Sequence, residues 1–209
     1  MKILVLGATG GTGRQIVEQG IARGHKITAL IRDAARQDAF PDHVHTIAGD
    51  ALDRDAVDRA VADQDDVIYA LGTKQTGQTT FFSESTQLVL QSMEKHGVRR
   101  LVCITGIGAA ETRGHGGLVY DRLIFPFFTR KIYEDKDRQE ALVRRSSVDW
   151  VLVRPAVFRE GAPKGELQVV TDVNGVTLTR IARHEVARFV LDQLESNQYL
   201  RKAPFIGHA

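Results

Sequence analysis

The sequence predicts an α/β fold, a single domain built on a doubly wound, mostly parallel β-sheet. Short aliphatic runs alternate with amphipathic stretches along the whole chain, which is the pattern of successive strand–helix–strand units. A glycine-rich turn follows the first of these runs and opens a helix. The length of 209 residues suits one domain.

The individual elements follow from these patterns. Strands are predicted at about 2–6, 26–31, 44–48, 66–71, 100–105 and 149–154, with weaker ones near 167–171 and at Phe205-Ile206. Helices are predicted at about 11–23, from Asp53 onward, and at about 83–96, 132–146 and 184–195. Asp53 is a good helix N-cap, and the glycines at 24 and 97 suit helix ends. The part from about 155 to 209 is expected to contribute to the substrate side of the domain.

The composition of the chain limits the kinds of molecule that it is expected to bind and its expected location. The chain carries 28 basic and 26 acidic side chains, a formal net charge of +2, which gives no case for nucleic-acid or membrane binding. No apolar stretch approaches the roughly 20 residues of a membrane span. The single cysteine, Cys103, lies in an apolar run and is expected to be a buried hydrophobe. With no disulfide and no secretory signal, we expect a cytoplasmic protein, and no metal site is predicted.

The glycine-rich turn is the strongest functional signal. It runs Gly7-Ala8-Thr9-Gly10-Gly11-Thr12-Gly13. A tight turn that lets the backbone approach a pyrophosphate leaves no room for Cβ, and the helix start that follows favours an anion. A Rossmann-like dinucleotide site is therefore predicted here.

The residue after the second strand discriminates between the two nicotinamide cofactors. A carboxylate there binds the ribose 2′-hydroxyl of NAD, whereas an arginine accommodates the 2′-phosphate of NADP. Arg32 lies just past the strand, and Arg14 follows the last glycine of the loop. NADP(H) is predicted on these grounds, and Asp33 keeps NAD(H) open as the less favoured option.

Further cofactor contacts are expected beyond the third and fourth strands. Asp50 and Ala51 are placed to meet the adenine, although Asp50 also suits a plain turn. The segment Leu71-Gly72-Thr73 would line the central part of the cofactor, with a plain turn again as the alternative. The glycine-rich stretch 106–117 follows the fifth strand, where ligands of open α/β sheets bind, and it suits a mobile substrate loop and an idle loop equally well.

Taken together, the sequence resembles the atypical short-chain dehydrogenase/reductases, in particular the biliverdin reductase B/flavin reductase group and NmrA-like quinone reductases. Besides the glycine loop, the resemblance rests on the following segments: Leu30-Ile31-Arg32-Asp33, Leu71-Gly72-Thr73, His96-Gly97-Val98, Val153-Arg154-Pro155 and Arg183-His184-Glu185-Val186-Ala187. It implies a Rossmann sheet that binds NADPH and transfers hydride to a flat conjugated acceptor such as a flavin or a quinone. It also implies that Pro155, Ala156 and Val157 meet the nicotinamide carboxamide, with a structural role as the alternative.

The chain departs from this family where catalysis is concerned. The usual pair of hydroxyl residues after the fifth strand is Thr105-Gly106 here. Lys136 matches the family lysine, but the tyrosine position four residues earlier is Ile132. Tyr133 is one residue off, about 100° around a helix, so we expect it not to substitute without local distortion.

Thr105 and Lys136 are the candidate catalytic residues. Thr105 either lines the nicotinamide site or merely ends a strand, and Lys136 either touches the cofactor or forms a solvated pair with Glu140. Four phenylalanines could stack on an aromatic acceptor, although each also suits a place in the core: Phe125, Phe127, Phe128 and Phe158.

Three functions remain compatible with the sequence. The leading one is an NADPH-dependent reductase of an aromatic or quinone-like small molecule. The displaced tyrosine and Gly106 also suit a non-catalytic, NADP(H)-sensing regulator of the NmrA-like type. An epimerase or isomerase with bound cofactor is the third, because one sheet architecture serves all three.

Overall fold

The described residues form one eight-stranded sheet. The computed structural model describes residues 1–33, 40–73, 77–161 and 165–209, and at 126–128 the backbone alone. The strands are β1 Lys2–Leu6, β2 Lys26–Ile31, β3 His45–Ala48, β4 Asp66–Tyr69, β5 Arg100–Ile104, β6 Asp149–Pro155, β7 Gln168–Val170 and β8 Phe205–Gly207. Their order across the sheet is β3-β2-β1-β4-β5-β6-β8-β7, and every neighbouring pair is parallel except β7 with β8.

Helices cover both faces of the sheet. The helices are α1 Gly11–Ala22, α2 Arg54–Val61, α3 Phe81–His96, α4 Arg130–Arg145 and α5 Arg183–Glu195. A short 3₁₀ turn, Ala110–Thr112, and a π-helical segment, Tyr120–Thr129, precede α4. α1 and α5 pack together on one face, whereas α3 lies between α2 and α4 on the other. The predicted single-domain, doubly wound Rossmann-like fold is confirmed.

The central strands are apolar because both of their faces are buried. In β1, Ile3 and Val5 belong to the core under α1 and α5, while Leu4 and Leu6 belong to the core under α2, α3 and α4. Alternate side chains of a strand point to opposite faces, so a strand covered on both sides needs apolar residues at every position. Cys103 on β5 is buried in this way, as predicted.

Local signals for the element ends are confirmed. The carboxylate of Asp53 accepts hydrogen bonds from the N–H groups of Asp55 and Ala56, at 3.0 and 3.3 Å, which caps α2. α3 ends at Gly97, whose φ of 72° is the left-handed value that favours glycine. No helix in the described ranges is long and apolar enough to cross a membrane. The cytoplasmic location and the expected partners stay predictions.

The π-helical segment was not predicted from the sequence. It contains Pro126, which lacks the N–H of a regular helical bond, and the wider π turn accommodates such a residue. The segment runs without a break into α4 at Arg130. It therefore sets the direction in which the first turn of α4 presents its side chains.

Candidate functional site

At two positions of the loop between β1 and α1, the backbone packs so closely that only glycine fits. A Cβ atom on Gly7, where φ is 85°, would lie 2.4 Å from the carbonyl oxygen of Ala70 at the end of β4. A Cβ atom on Gly13 would lie 2.0 Å from the carbonyl oxygen of Gly7. These contacts are backbone to backbone, so no side chain can be added without moving the loop.

The other side of the loop is open and carries free donors. A Cβ on Gly10 would meet only the Gly7 carbonyl oxygen, at 3.2 Å. No side chain caps the start of α1 and its first turn has no acidic residue. Within the described ranges, the N–H groups of Gly11, Thr12 and Gly13 have no acceptor. A cradle of unpaired N–H groups at a helix start fits the diphosphate of a dinucleotide.

The predicted central contacts lie beside this cradle, after β4. Space around Gly72 is open, since a Cβ there would have no atom within 4 Å. Leu71 packs partly against the core under α2, α3 and α4, and Thr73 and Thr9 are half-buried. The approach of a ligand to Gly72 is sterically possible, and contact with it stays a prediction.

The two candidate phosphate-binding arginines lie at the β1–β2 edge of the loop. Arg14 donates through Nε to the carbonyl oxygen of Thr9, at 3.2 Å, which holds its side chain along the loop. Arg32 directly follows β2 and is exposed. Because β2 is the parallel neighbour of β1, Arg32 projects from the same edge of the sheet as the glycine loop.

The residues predicted to meet the adenine also have structural roles. Asp50 accepts from the N–H of Leu52, at 2.9 Å, and so shapes the turn after β3. Ala51 is buried in the core, which leaves its backbone as the part that a ligand could reach.

The hydroxyl of Thr105 is engaged in a buried ion-pair network. It donates to Glu140 Oε1 at 2.8 Å, and Arg154 binds both oxygens of Glu140, at 2.9 and 2.5 Å. Arg154 also pairs with Glu111, at 2.6 Å, in the segment after β5. This pairing holds the glycine-rich stretch 106–117 against β6. Contact between Thr105 and a cofactor stays a prediction.

Lys136 is buried on α4. Its Nζ lies 4.2 Å from the centre of the Phe82 ring at the start of α3. Loss of hydration lowers the pKa of Lys136 to about 8, against the opposing effects of Cys103, Glu140 and Asp135. Because Lys136 and Glu140 are both buried, the alternative of a solvated pair between them is excluded.

Asp135 places Lys136 by fixing α4 against α3. Its carboxylate accepts from the backbone N–H of Phe82 at 2.7 Å and from the hydroxyl of Ser83 at 2.5 Å. The carboxylate thus binds the start of α3, where negative charge is favourable. Asp135 is fully buried, and the sequence analysis gave it no role.

Tyr133 lies closer to the site than its spacing predicted. A Cβ on Gly106 would lie 2.7 Å from the Tyr133 hydroxyl, which places that hydroxyl at the carboxyl end of β5. Burial raises the pKa of Tyr133 well above its ordinary value, and the neighbouring Tyr120 raises it further. Tyr120 itself donates to the carbonyl oxygen of Ile107, at 2.8 Å. The condition set for such an approach, a local distortion of the helix, is met by the π-helical segment immediately before α4.

An aromatic wall surrounds these hydroxyls. The ring of Phe125 lies 5.7 Å from that of Tyr133 and 6.3 Å from that of Tyr120, centre to centre. Phe158 instead packs under a guanidinium, with the Cζ atom of Arg183 5.0 Å from its ring centre. The side chains of Phe127 and Phe128 lie outside the described residues.

The backbone after β6 is mostly paired. The carbonyl of Pro155 accepts from Ile107, the N–H of Ala156 donates to Ile206, and the carbonyl of Val157 accepts from Ile181. The N–H of Val157 has no acceptor in the part of the chain that the structure describes. This N–H group therefore remains available to a ligand.

Comparison with known proteins agrees with this geometry. The uncharacterized Bacillus subtilis protein YwnB is 26% identical over 212 residues, covering 95% of this chain and 94% of YwnB. The structure of ChuY, an anaerobillin reductase from Escherichia coli O157:H7, has a TM-score of 0.83 at 21% identity, over 100% of this chain and 97% of ChuY. A short-chain dehydrogenase/reductase from Veillonella parvula, solved with NADP, has a TM-score of 0.80 at 14% identity, over 99% and 94% of the two chains.

At these identities the two solved structures establish a shared fold. The sequence model of the family described as NAD(P)H-binding matches residues 7–197, nearly the whole chain. The predicted NAD(P)H-binding character is confirmed, and the chain belongs to this NAD(P)H-binding family.

Proposed function

We propose that the protein is an NADPH-dependent oxidoreductase that transfers hydride to a flat conjugated small molecule, such as a flavin or a quinone. One observation carries the proposal. The open cradle at Gly10 and an aromatic wall of Tyr120, Phe125 and Tyr133 lie at the carboxyl ends of strands of one parallel sheet. A dinucleotide that begins at the cradle would extend along this edge toward the wall.

Binding would fall to the loop and its two arginines. The free N–H groups of Gly11, Thr12 and Gly13 would hold the diphosphate. Arg32, assisted by Arg14, would pair with a 2′-phosphate, and this is the basis for proposing NADPH over NADH. When bound, NADPH would supply the hydride.

At the other end, the side chains would orient the reactants rather than provide an essential acid. Lys136 is a dehydrated cation fixed over Phe82, and its N–H groups would donate to ribose hydroxyls. Tyr133 and Tyr120 are protonated at neutral pH, and burial raises the pKa of each further above its ordinary value. A flavin or quinone that accepts hydride can take its proton from water, so positioning would supply most of the rate enhancement.

One observation favours a second candidate, a non-catalytic NADP(H) sensor. The Thr105 hydroxyl, one of the two candidate catalytic groups, donates its hydrogen bond to Glu140. A protein that binds the cofactor and lacks a free catalytic hydroxyl suits a sensor. Turnover separates the two candidates.

The test is NADPH oxidation, followed by the absorbance of the reduced nicotinamide, against a panel of flavins, quinones and aldehydes. We expect turnover with flavins or quinones that exceeds turnover with aldehydes. Gly10→Val, which fills the cradle, is the control and should abolish oxidation of NADPH with every acceptor. Tight NADPH binding without oxidation by any acceptor would contradict the proposal and support the sensor.

A further inference from the structure

A cleft of about 440 Å³ lies beside the phosphate loop. It is bounded by the start of α1, the chain that follows β6 and the start of α5. Polar and charged residues dominate its lining, chiefly Gln15, Arg159, Glu160, Arg183 and His184. Neither the family resemblance nor the proposed reductase function assigns it a role.

Arg183 forms the wall of the cleft nearest to the phosphate loop. A Cβ on Gly11, the first residue of α1, would lie 2.8 Å from Arg183 Nε. The guanidinium is held over the ring of Phe158, with 5.0 Å between Cζ and the ring centre. This stacking orients a planar cation toward the cleft.

The cleft carries more positive than negative charge. In the described ranges, no carboxylate lies within ion-pair distance of Arg159 or Arg183. Glu160 is the acidic residue of the lining, and it pairs with neither arginine. Two arginines, against one carboxylate, therefore face one cavity without an ion-pair partner, which is an arrangement that recognises an oxyanion.

We propose that this cleft is an anion site, which binds a phosphate or carboxylate group next to the start of α1. The proposal rests on the proposed function, because the source of the anion is one of the two reactants of the reductase, the acceptor or the cofactor. It is either the anionic tail of the acceptor or the diphosphate of the cofactor itself. If the acceptor carries it, the substrate class narrows to conjugated molecules with an anionic tail, such as flavin mononucleotide, over neutral ones such as riboflavin.

The binding test uses inorganic phosphate as the probe. Phosphate is titrated calorimetrically into the protein saturated with NADP⁺, for the unmutated chain, Arg183→Ala and Arg188→Ala. Arg188 is an exposed arginine of the same helix outside the cleft, and it is the matched control. We expect phosphate to bind the complex, to bind at least about fivefold more weakly in Arg183→Ala, and to be unaffected in Arg188→Ala.

Other outcomes of these titrations identify the molecule that supplies the anion, or show that the cleft is not an anion site. If phosphate fails to bind the NADP⁺ complex while Arg183→Ala weakens NADP⁺ binding severalfold, the diphosphate of the cofactor occupies the cleft. If Arg183→Ala changes neither phosphate nor NADP⁺ binding, and Arg159→Ala also changes neither, the proposal is wrong. Both arginines are exposed, so these variants are expected to fold.

A kinetic comparison tests the acceptor directly. The ratio of KM for riboflavin to KM for flavin mononucleotide, which differ by one phosphate, should exceed about five in the unmutated protein. Arg183→Ala should bring this ratio close to one without changing kcat for riboflavin, and Arg188→Ala should leave it unchanged. Failure to turn over any acceptor would overturn the reductase proposal, whereas the phosphate titration would still decide the site.

Discussion

The hydroxyl of Tyr133 lies against the α-carbon of Gly106, so close that a methyl group there would come within 2.7 Å of the hydroxyl oxygen. This relationship gives a physical reason for the glycine. The family resemblance implies a hydroxyl residue at this position after the fifth strand, whereas here the tyrosine hydroxyl from α4 occupies the space beside the glycine. Gly106 also has a φ of 129°, which other residues rarely adopt.

Gly106→Ala should therefore destabilise the protein through two separate effects. Backbone strain at positive φ costs about 1 kcal/mol, and the clash with Tyr133 should add about 1–2 kcal/mol. Gly97→Ala is the matched control, because Gly97 has a φ of 72° but open space around a Cβ. The free energies of unfolding in denaturant provide the measurement.

The double variant separates the two effects. Tyr133→Phe removes the clashing oxygen, so it should recover part of the loss in Gly106→Ala and none of the loss in Gly97→Ala. Equal losses in the two alanine variants, with no recovery, would show that Tyr133 does not contact Gly106.

Tyr133→Phe alone should lower kcat/KM for a flavin or quinone by less than about tenfold. The effect should be small because such acceptors take their proton from water, even though the Tyr133 hydroxyl lies at the site. The same variant should lower any aldehyde reduction more strongly, because an alkoxide needs a nearby acid. Steady-state rates with both classes of acceptor test this. A hundredfold loss with a flavin would make Tyr133 the essential proton donor.

The fold was predictable because the strands and α-helices that build it have local signals. Aliphatic runs buried on both faces mark the central strands, and Asp53 and Gly97 mark helix ends by their own backbone chemistry. The phosphate loop was predictable for the same reason, since Gly7 and Gly13 are required by contacts close to the loop itself.

The surroundings of Tyr133, Lys136 and Arg183 were less predictable, because the contacts of these side chains depend on tertiary geometry. The direction of Tyr133 depends on a π-helical segment that ordinary helical spacing does not describe. Arg183 packs on Gly11 although 171 residues separate them, and no periodicity relates the two. Lys136 was identified through the family resemblance, but its burial against Phe82 required the structure.

Gly10→Val should abolish NADPH binding and leave the protein folded. Gly10 is exposed, and a side chain there would enter the space that the diphosphate needs. Gly13→Val should instead unfold or strongly destabilise the protein, because its Cβ would lie 2.0 Å from the Gly7 carbonyl oxygen. Calorimetric titration with NADPH and thermal unfolding distinguish the two variants. Undiminished binding in Gly10→Val would mean that the loop is not the phosphate site.

Arg32→Ala should remove most of the preference for NADPH over NADH. A well-formed arginine–phosphate pair contributes about 1.5–3 kcal/mol, which corresponds to a difference in Kd of roughly 10- to 150-fold. NADH binding should be nearly unchanged, because NADH has no 2′-phosphate. Kd values for both cofactors in both proteins test the assignment. Equal affinities in the unmutated protein would contradict it.

The buried Lys136 should make stability depend on pH in the alkaline range. Its pKa is about 8 in the folded protein and has the ordinary value of 10.5 for an exposed lysine when unfolded. Between these values the unfolded chain binds more protons, so stability rises with pH. Below pH 8 the lysine is charged in both states and the full cost of burying its charge is present, whereas above 10.5 it is neutral in both.

The measurement is the free energy of unfolding from pH 7 to pH 10.5 for the unmutated protein and Lys136→Met. As pH rises over this range, the free energy of unfolding of the unmutated protein should increase relative to that of Lys136→Met by on the order of 3 kcal/mol. Lys131→Met, at an exposed position of the same helix, should give no such change. Saturating NADP⁺ should flatten the dependence, because a cofactor that accepts hydrogen bonds from Lys136 favours its charged form. A dependence that NADP⁺ leaves unaltered would place Lys136 in the core and out of contact with the cofactor.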